Sequence, residues 1–254
     1  CISAMEDSGF TFKDMFSWVR DKAPHRAQRV SVVYEKRQDL ESAKRWEGWR
    51  LGNLRPTFEP VLWFQKPYKI GGTIADNILQ HGVGAYNQEA FLKYVDSPDN
   101  IISASFRRRE SGLHPTQKPI ELFEYLIRTY SNEGDVVLDN CMGSGTTAIA
   151  SIRSNRQFIG FENDKTHGYY DIIVERIEEY HKLQPKGHKA LSIMNKALVG
   201  HDYLVGNKFT IADIALYAYT HVAKEGGFDL KLYPNIQEWC QRIQKYPKYV
   251  SMVE

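Results

Sequence analysis

The chain has 254 residues, of which 42% are hydrophobic, 25% charged and 13% aromatic, with a formal net charge of +2. These values exclude a disordered, collagen-like or low-complexity chain; they predict one or two domains and a core that needs no disulfide staples. Residues 181–254 carry 10 Lys+Arg against 6 Asp+Glu, while residues 1–180 carry 23 against 25. Composition therefore permits nucleic-acid binding without arguing for it. The cysteines, Cys1, Cys141 and Cys240, are widely separated and odd in number. That pattern predicts free thiols and a reducing, cytoplasmic setting. No run approaches the ~20 apolar residues that span a bilayer, so no membrane partner is expected. No targeting segment is apparent, and the opening on Cys1 in mid-pattern reads as a fragment or processed form.

Residues 9–20 alternate apolar and polar in places and predict a strand. Val30–Tyr34 reads as a second β-like run, and the Trp-rich stretch 35–55 as a loop or short helix. Glu59–Phe64 predicts another strand, closed by Lys66-Pro67. Residues 71–112 hold Gly, Asn, Asp and Ser and read as an irregular insertion with few packed elements. Beyond it the pattern sharpens. Pro119 opens a helix whose apolar residues Ile120, Phe123, Ile127 and Tyr130 recur at helical spacing. Val136–Leu138 is a short apolar strand, Gly143–Thr147 opens a helix to Ser154, and Phe158–Phe161 is the next strand. Strand, glycine loop, helix and strand make a βαβ unit and imply a parallel sheet. A helix follows to about Tyr180.

Residues 181–187, with Gln184-Pro185-Lys186-Gly187, read as a linker, and only helices are expected after it. Thr210 and Asp213 fit a capping box, with Phe209 stapling to Ile214, and Gly226-Gly227 should end that helix. Pro234 starts another, with Ile236, Trp239, Ile243 and Tyr246 facing inward and Pro247 stopping it.

The chemistry concentrates in Asp139-Asn140-Cys141-Met142-Gly143-Ser144-Gly145-Thr146-Thr147. Glycines after a strand let a backbone approach a ligand closely at a helix N-terminus. Glu162 lies 19 positions after Gly143, near the spacing at which a carboxylate takes a ribose diol. No Lys follows the second glycine, so this is no phosphate-binding P-loop. Asp139 would repel a pyrophosphate but suits an ammonium. S-adenosylmethionine, an adenosine joined to an amino acid, answers both carboxylates. The alternative is a tight strand–helix turn without a ligand. Upstream, the prolines of His114-Pro115-Thr116-Gln117-Lys118-Pro119 stiffen an approach to the loop that would fix Thr116 and Lys118 beside it. The alternative there is a helix-start turn with a solvated lysine.

Together these segments resemble the S-adenosylmethionine-dependent DNA amino-methyltransferases of the permuted class, which make N6-methyladenine or N4-methylcytosine. His114–Pro119 matches the family's segment before its cofactor loop, and Asp139–Thr147 matches the loop, with Asn140 and Cys141 in place of Pro-Phe. Phe158–Asn163 is similar to the next family strand. The resemblance covers about residues 5–180. It implies an α/β fold, an incomplete Rossmann-like methyltransferase sheet, over residues 1–180. It also implies a cofactor site at Asp139, Gly143, Ser144, Gly145, Thr146, Glu162, Thr116 and Lys118, with no metal.

Family members also carry an Asp/Asn/Ser-Pro-Pro-Tyr/Trp loop that holds the flipped base. No such tetrapeptide occurs here, and Lys66-Pro67-Tyr68 is the nearest string. The resemblance then implies a cofactor half-site without a catalytic residue, a sheet missing the strand between the cofactor strand and residues 9–20, and weak DNA association. A missing amino-terminal segment is the implied partner. Residues 71–112 fall where this class places target recognition, so Arg107, Arg108 and Arg109 either meet DNA or form a solvated charge run.

Residues 188–254 are similar to the C-terminal helical domain of glutathione transferases. The match rests on Tyr203–Gly206, Phe209–Asp213 and Tyr233-Pro234-Asn235-Ile236 with Trp239, Arg242 and Pro247. It implies a small all-helical domain without the glutathione-binding half, in which Thr210 and Asp213 are structural. Three readings stand: a methyltransferase fragment inactive alone, a non-catalytic interaction module with a helical tail, and an artefactual joining of two partial genes.

Overall fold

The computed structural model describes residues 1–20, 27–52, 54, 56–97, 99–107, 110–247 and 249. The chain forms two compact units, Cys1–Tyr170 and Asp171–Glu254. The first runs α1 (Ile2–Asp7), β1 (Thr11–Val19), α2 (Val30–Lys36), α3 (Leu40–Arg45), β2 (Phe58–Gln65), α4 (Ile74–His81), α5 (Gln88–Phe91), β3 (Ile101–Ser103), α6 (Ile120–Tyr130), β4 (Val136–Asp139), α7 (Thr146–Arg153) and β5 (Gln157–Gly160). Its strands form two sheets, β2-β1-β3 and β4-β5.

β1 is central. It pairs antiparallel with β2 from Thr11↔Gln65 to Val19↔Phe58, with an irregularity at Phe12/Asp14, and parallel with β3 through Ser17–Val19. Alternation places Phe16 and Trp18 on the buried face, 5% and 2% exposed. Trp18 Nε1 donates to the Ala104 carbonyl at 2.9 Å, satisfying its polar edge inside the core. Around these two rings pack Phe91, Ile102, Ala104, Leu122 and Tyr125.

Three of those residues correct the expectation for 71–112. That stretch is not an irregular insertion: α5 supplies Phe91, β3 supplies Ile102, and Ala104 follows, all buried. α4 is capped by a Thr73–Asp76 box and ends on Gly82 at φ 69°. The Val30–Tyr34 run is helical, not extended. Its residues pack against α3, whose cap Asp39 accepts the Ser42 N–H at 2.9 Å, so helix pairing overrides the β-branched composition.

The expected βαβ unit is present. β4 and β5 are parallel in the register Val136↔Gln157 to Asp139↔Gly160, and α7 lies between them in sequence. α6 packs on α7, and the Arg153 guanidinium meets Glu124 at 3.4 Å across that interface. Among the described residues β1 has partners on both edges, so the expected gap is not directly beside residues 9–20, and β4 and β5 form a separate sheet.

α8 (Tyr169–Ala197) begins at the end of the first unit and is the first helix of the second. It runs through the expected linker 181–187, with Pro185 inside it, and does not stop near Tyr180. Gly187 is not a linker glycine. The Phe228 ring lies where a β-carbon at 187 would stand, so the position admits no larger side chain without displacing that ring. α9 (Ile211–Thr220) ends six residues before Gly226, with short 3₁₀ turns and α10 (Pro234–Gln244) following. Leu191, Tyr217, Ile236, Trp239 and Ile243 form the core of this unit. Phe209 stacks on Tyr246 at 4.5 Å, whereas its expected staple partner Ile214 is 58% exposed.

Asp213 organises the second unit. Its carboxylate is fully buried and accepts from Leu204 N at 2.9 Å, Trp239 Nε1 at 2.9 Å, Thr210 N at 2.8 Å and Thr210 Oγ1 at 3.0 Å. Burial pushes this carboxyl up, but the four donors together hold it below the usual carboxylate range. A lowered folded pKa means stability fully present above the unfolded value of 3.8 and lost as pH falls below it through the lower folded value. Thr210→Ala should cost about 1 kcal/mol. Asp213→Asn should cost about 2–4 kcal/mol, since it breaks a buried charged network. Amide exchange over residues 204–217 reads this directly, and the difference between native and Asp213→Asn chains should shrink from pH 7 to pH 3.

Candidate cofactor site

β4 ends at Asp139, and the chain turns through 140–145 into α7. Gly145 is the cap of α7 at φ 81°, and Gly143 sits at φ 54°. Both are left-handed positions, where a β-carbon is strained. The turn is tied to the strand beside it. Phe161 N donates to Asp139 O and Met142 N to Phe161 O, each at 2.9 Å, so the ladder continues past both strand ends. Gly160 makes room for Met142, whose side chain fills the space a β-carbon would need.

The carboxylates close the arrangement. Gly143 N donates to Glu162 Oε2 at 2.6 Å, and Asp164 N donates to Glu162 Oε1 at 2.9 Å. Asp139 Oδ1 accepts the Cys141 N–H at 2.9 Å, and Oδ2 accepts the Thr147 hydroxyl. A carboxylate oxygen has two acceptor sites, so all four oxygens retain capacity for a ligand. Ser144, Thr146 and Thr147 are buried behind the loop, and Thr146 Oγ1 donates to the Lys118 carbonyl at 3.3 Å.

The structure thus brings Asp139, Gly143, Ser144, Gly145, Thr146 and Glu162 together at the C-terminal ends of two parallel strands. That is where open α/β sheets take ligands. Thr116 lies close by through His114: its N–H and hydroxyl both meet His114 Nδ1 at 3.2 Å, and the His114 ring lies against Gly143. Lys118 reaches the site through its backbone only. Its ammonium pairs with Glu59 of β2 at 2.8 Å, and Glu59 also holds Arg20 at 3.0 Å. Gln117 anchors the segment, accepting from Leu113 N at 3.1 Å and donating to the Glu110 carbonyl. Arg107 meets Glu121 at 3.6 Å; Arg108 and Arg109 lie outside the described residues.

Sequence reasoning passed over one cluster at the loop. His114 packs on Tyr169 with centroids 4.4 Å apart, and His167 stacks on the same ring at 5.3 Å. Asp164 accepts from Thr166 N, His167 N, His167 Nδ1 and Tyr169 N, where α8 begins. Burial pushes the Asp164 carboxyl up, and these donors reverse that and hold it far below the usual range. The Asp-x-Thr-His spacing at 164–167 was the available signal.

As a donor set, two carboxylates and a glycine-lined helix N-terminus fit a ligand with a diol at one end and an amino acid at the other. Type II methyltransferase M.HindIII of Haemophilus influenzae is 48% identical over 181 residues, covering 69% of this chain and 58% of that protein. The chain therefore spans less than two thirds of that relative's length. The crystal structure of an M1.HpyAVI–SAM complex is 26% identical with a TM-score of 0.45, covering 69% of this chain and 67% of the other. A glutathione S-transferase structure from Pseudomonas fluorescens is 56% identical over 34% of this chain and 44% of its own, with a TM-score of 0.31. Residues 150–247 match the family model of the glutathione S-transferase C-terminal domain. Residues 1–176, more than half the chain, match the N6/N4 DNA methylase model, and the protein belongs to that DNA methylase family.

Proposed function

We propose that the first unit is the cofactor half of an S-adenosylmethionine-dependent DNA amino-methyltransferase, acting on N6 of adenine or N4 of cytosine. The observation that carries this reading is the placement of Asp139 and Glu162 at the ends of adjacent parallel strands, with the Gly143–Gly145 turn between them in sequence. When bound, S-adenosylmethionine supplies an electrophilic methyl group on its sulfonium. Glu162 accepts the ribose hydroxyls. Asp139 accepts the ammonium. The N–H groups at the α7 N-terminus receive the carboxylate, with Thr116 and Lys118 beside that end. The left-handed glycines keep the loop open for close backbone approach.

The same reading holds that the chain does not methylate DNA by itself. Methyl transfer needs the acceptor amine in line with the departing sulfur. The Asp/Asn/Ser-Pro-Pro-Tyr/Trp tetrapeptide that would hold a flipped base does not occur in the sequence. Extruding a base costs a few kcal/mol, and without that pocket nothing offsets it. DNA association would run through the Arg107–Arg109 run, weakly and with strong salt dependence. In the second unit, Thr210 and Asp213 serve stability, as their hydrogen bonds within the unit support.

Calorimetry should show S-adenosylmethionine binding that weakens about tenfold to a hundredfold in Glu162→Ala, the loss expected when charge-assisted hydrogen bonds of ~1.5–3 kcal/mol go. Glu162→Gln should fall between. Binding of NAD or ATP in its place contradicts the cofactor reading. A tritiated-methyl assay on unmethylated DNA, at saturating cofactor, should show no transfer by the chain alone. Turnover of about 1 per second, ordinary for an enzyme, would mean that a base-holding loop exists here in another form.

A further inference from the structure

The Trp-rich stretch between β1 and β2 has no part in the cofactor site. Residues 27–52 hold 6 Lys+Arg against 4 Asp+Glu, a basic surplus within residues 1–180, which carry 23 against 25. The cations are exposed: Arg29 before α2, Lys36 and Arg37 at its end, Lys44 and Arg45 in the last turn of α3, and Arg50 beyond it. Among the described residues none of Lys36, Arg37, Lys44 and Arg45 has an ion-pair partner. Of the four carboxylates, Asp39 is engaged as the α3 cap. Glu35, Glu41 and Glu47 hold none of those cations.

The tip of this region is Arg45-Trp46-Glu47-Gly48-Trp49-Arg50. Trp46 and Trp49 meet edge to face with centroids 5.3 Å apart, and Arg45 Cζ lies over the Trp46 ring at 5.8 Å. Trp49 is 62% exposed, against the usual burial of this side chain. The backbone under it is fixed. Val30 N donates to Trp49 O at 2.9 Å, Leu51 N to Gln28 O at 2.7 Å, and Arg50 Nη1 to Ala27 O at 3.1 Å. Indoles held toward solvent on a hydrogen-bonded frame form a preorganised surface, with little ordering cost on binding. Unpaired cations interleaved with aromatic rings are the donor set that nucleic acid takes: the cations meet phosphates, and the rings lie on sugars or bases.

The strand ends that carry this region are tied to the turn before α7. Arg20, just after β1, and Lys118 share the Glu59 carboxylate at the start of β2, at 3.0 and 2.8 Å, and Thr146 Oγ1 donates to the Lys118 carbonyl. α2 and α3 therefore leave the first unit at the end of β1 that meets the Gly143–Thr146 side, where a DNA substrate has to come. We propose that α2, α3 and the tip after them form a contact surface for double-stranded DNA, separate from the Arg107–Arg109 run, an inference that rests on reading the chain as a DNA methylase and not on the cofactor site. Lys44 and Arg45 meet phosphates of the duplex, and the exposed Trp49 indole lies against the sugar edge of the strand.

Binding of the full chain to a labelled double-stranded oligonucleotide, followed by anisotropy over a salt series, tests this. Lys44→Ala and Arg45→Ala should each reduce the slope of log affinity against log salt by about 0.9, and together weaken binding at low salt at least about tenfold. Trp49→Ala should weaken it at least about fivefold, with Trp49→Phe retaining most of the affinity. Each of these exposed variants should melt within about 2 °C of the native chain. Lys189→Ala, an exposed cation of the second unit, should leave affinity and slope unchanged. Unchanged binding in the Lys44, Arg45 and Trp49 variants, with loss in Arg107→Ala, overturns the inference and leaves the DNA reading standing. An equal loss in Lys189→Ala also overturns it, because the association would then follow net charge alone. No duplex binding by the native chain at low salt overturns both the inference and the DNA reading.

Discussion

Gly143 donates its N–H to Glu162 at 2.6 Å, and the geometry of the proposed cofactor site depends on that contact. It joins the turn after β4 to the turn after β5, two strands of only four residues each. Strands so short have little ladder to hold their ends together. The bonds beyond them, from Phe161 to Asp139 and from Met142 to Phe161, extend the register. A hydrogen bond to a charged group contributes about 1.5–3 kcal/mol, more than a neutral backbone bond. The loop is therefore set before a ligand arrives, which lowers the ordering cost of binding. Gly160 is part of the same constraint, since Met142 needs the space that any side chain there would take.

α6 carries that tip into the rest of the first unit. On one side Leu122 and Tyr125 pack with Phe16, Trp18 and Ile102 around the β1–β3 pair. On another α6 packs against α7, with the mostly buried Arg153–Glu124 pair across the interface. Among the described residues the two sheets are held by a shared helix and not by strand pairing. Such an arrangement sets a complete-looking βαβ unit beside a separate three-stranded sheet. The Lys118–Glu59–Arg20 ion pairs add a second tie, from the segment before α6 to β2. At partly exposed positions such pairs contribute little to stability, about 0–1 kcal/mol.

The chemistry-bearing half was legible because its signals are local. A glycine that must take positive φ, a proline before a helix and a four-residue apolar run each act within a few residues. Asp139, Gly145 and Glu162 accordingly stand where the motif put them. What could not be read depends on distant partners. Phe91 and Ile102 look like loop residues until Trp18 is packed on them. Val30–Tyr34 has strand composition and becomes helical through α3. Gln184–Gly187 has linker composition, yet Gly187 is the surface on which Phe228 lies. The tetrapeptide Thr-Ile-Ala-Asp occurs twice, at 73–76 and 210–213, and both copies are capping boxes. The first stands among glycines and an asparagine, whose turn composition masks it. Only the second is buried, because Leu204 and Trp239 add donors to Asp213 that no local pattern shows.

Amide exchange of the full chain, with and without S-adenosylmethionine, decides whether the β4–β5 tip holds the cofactor. Slowed exchange is expected at residues 140–146 and 160–164, with the Gly143 amide among the protected, and no change over 200–244. Binding without protection at those loops, or protection confined to the second unit, would contradict it.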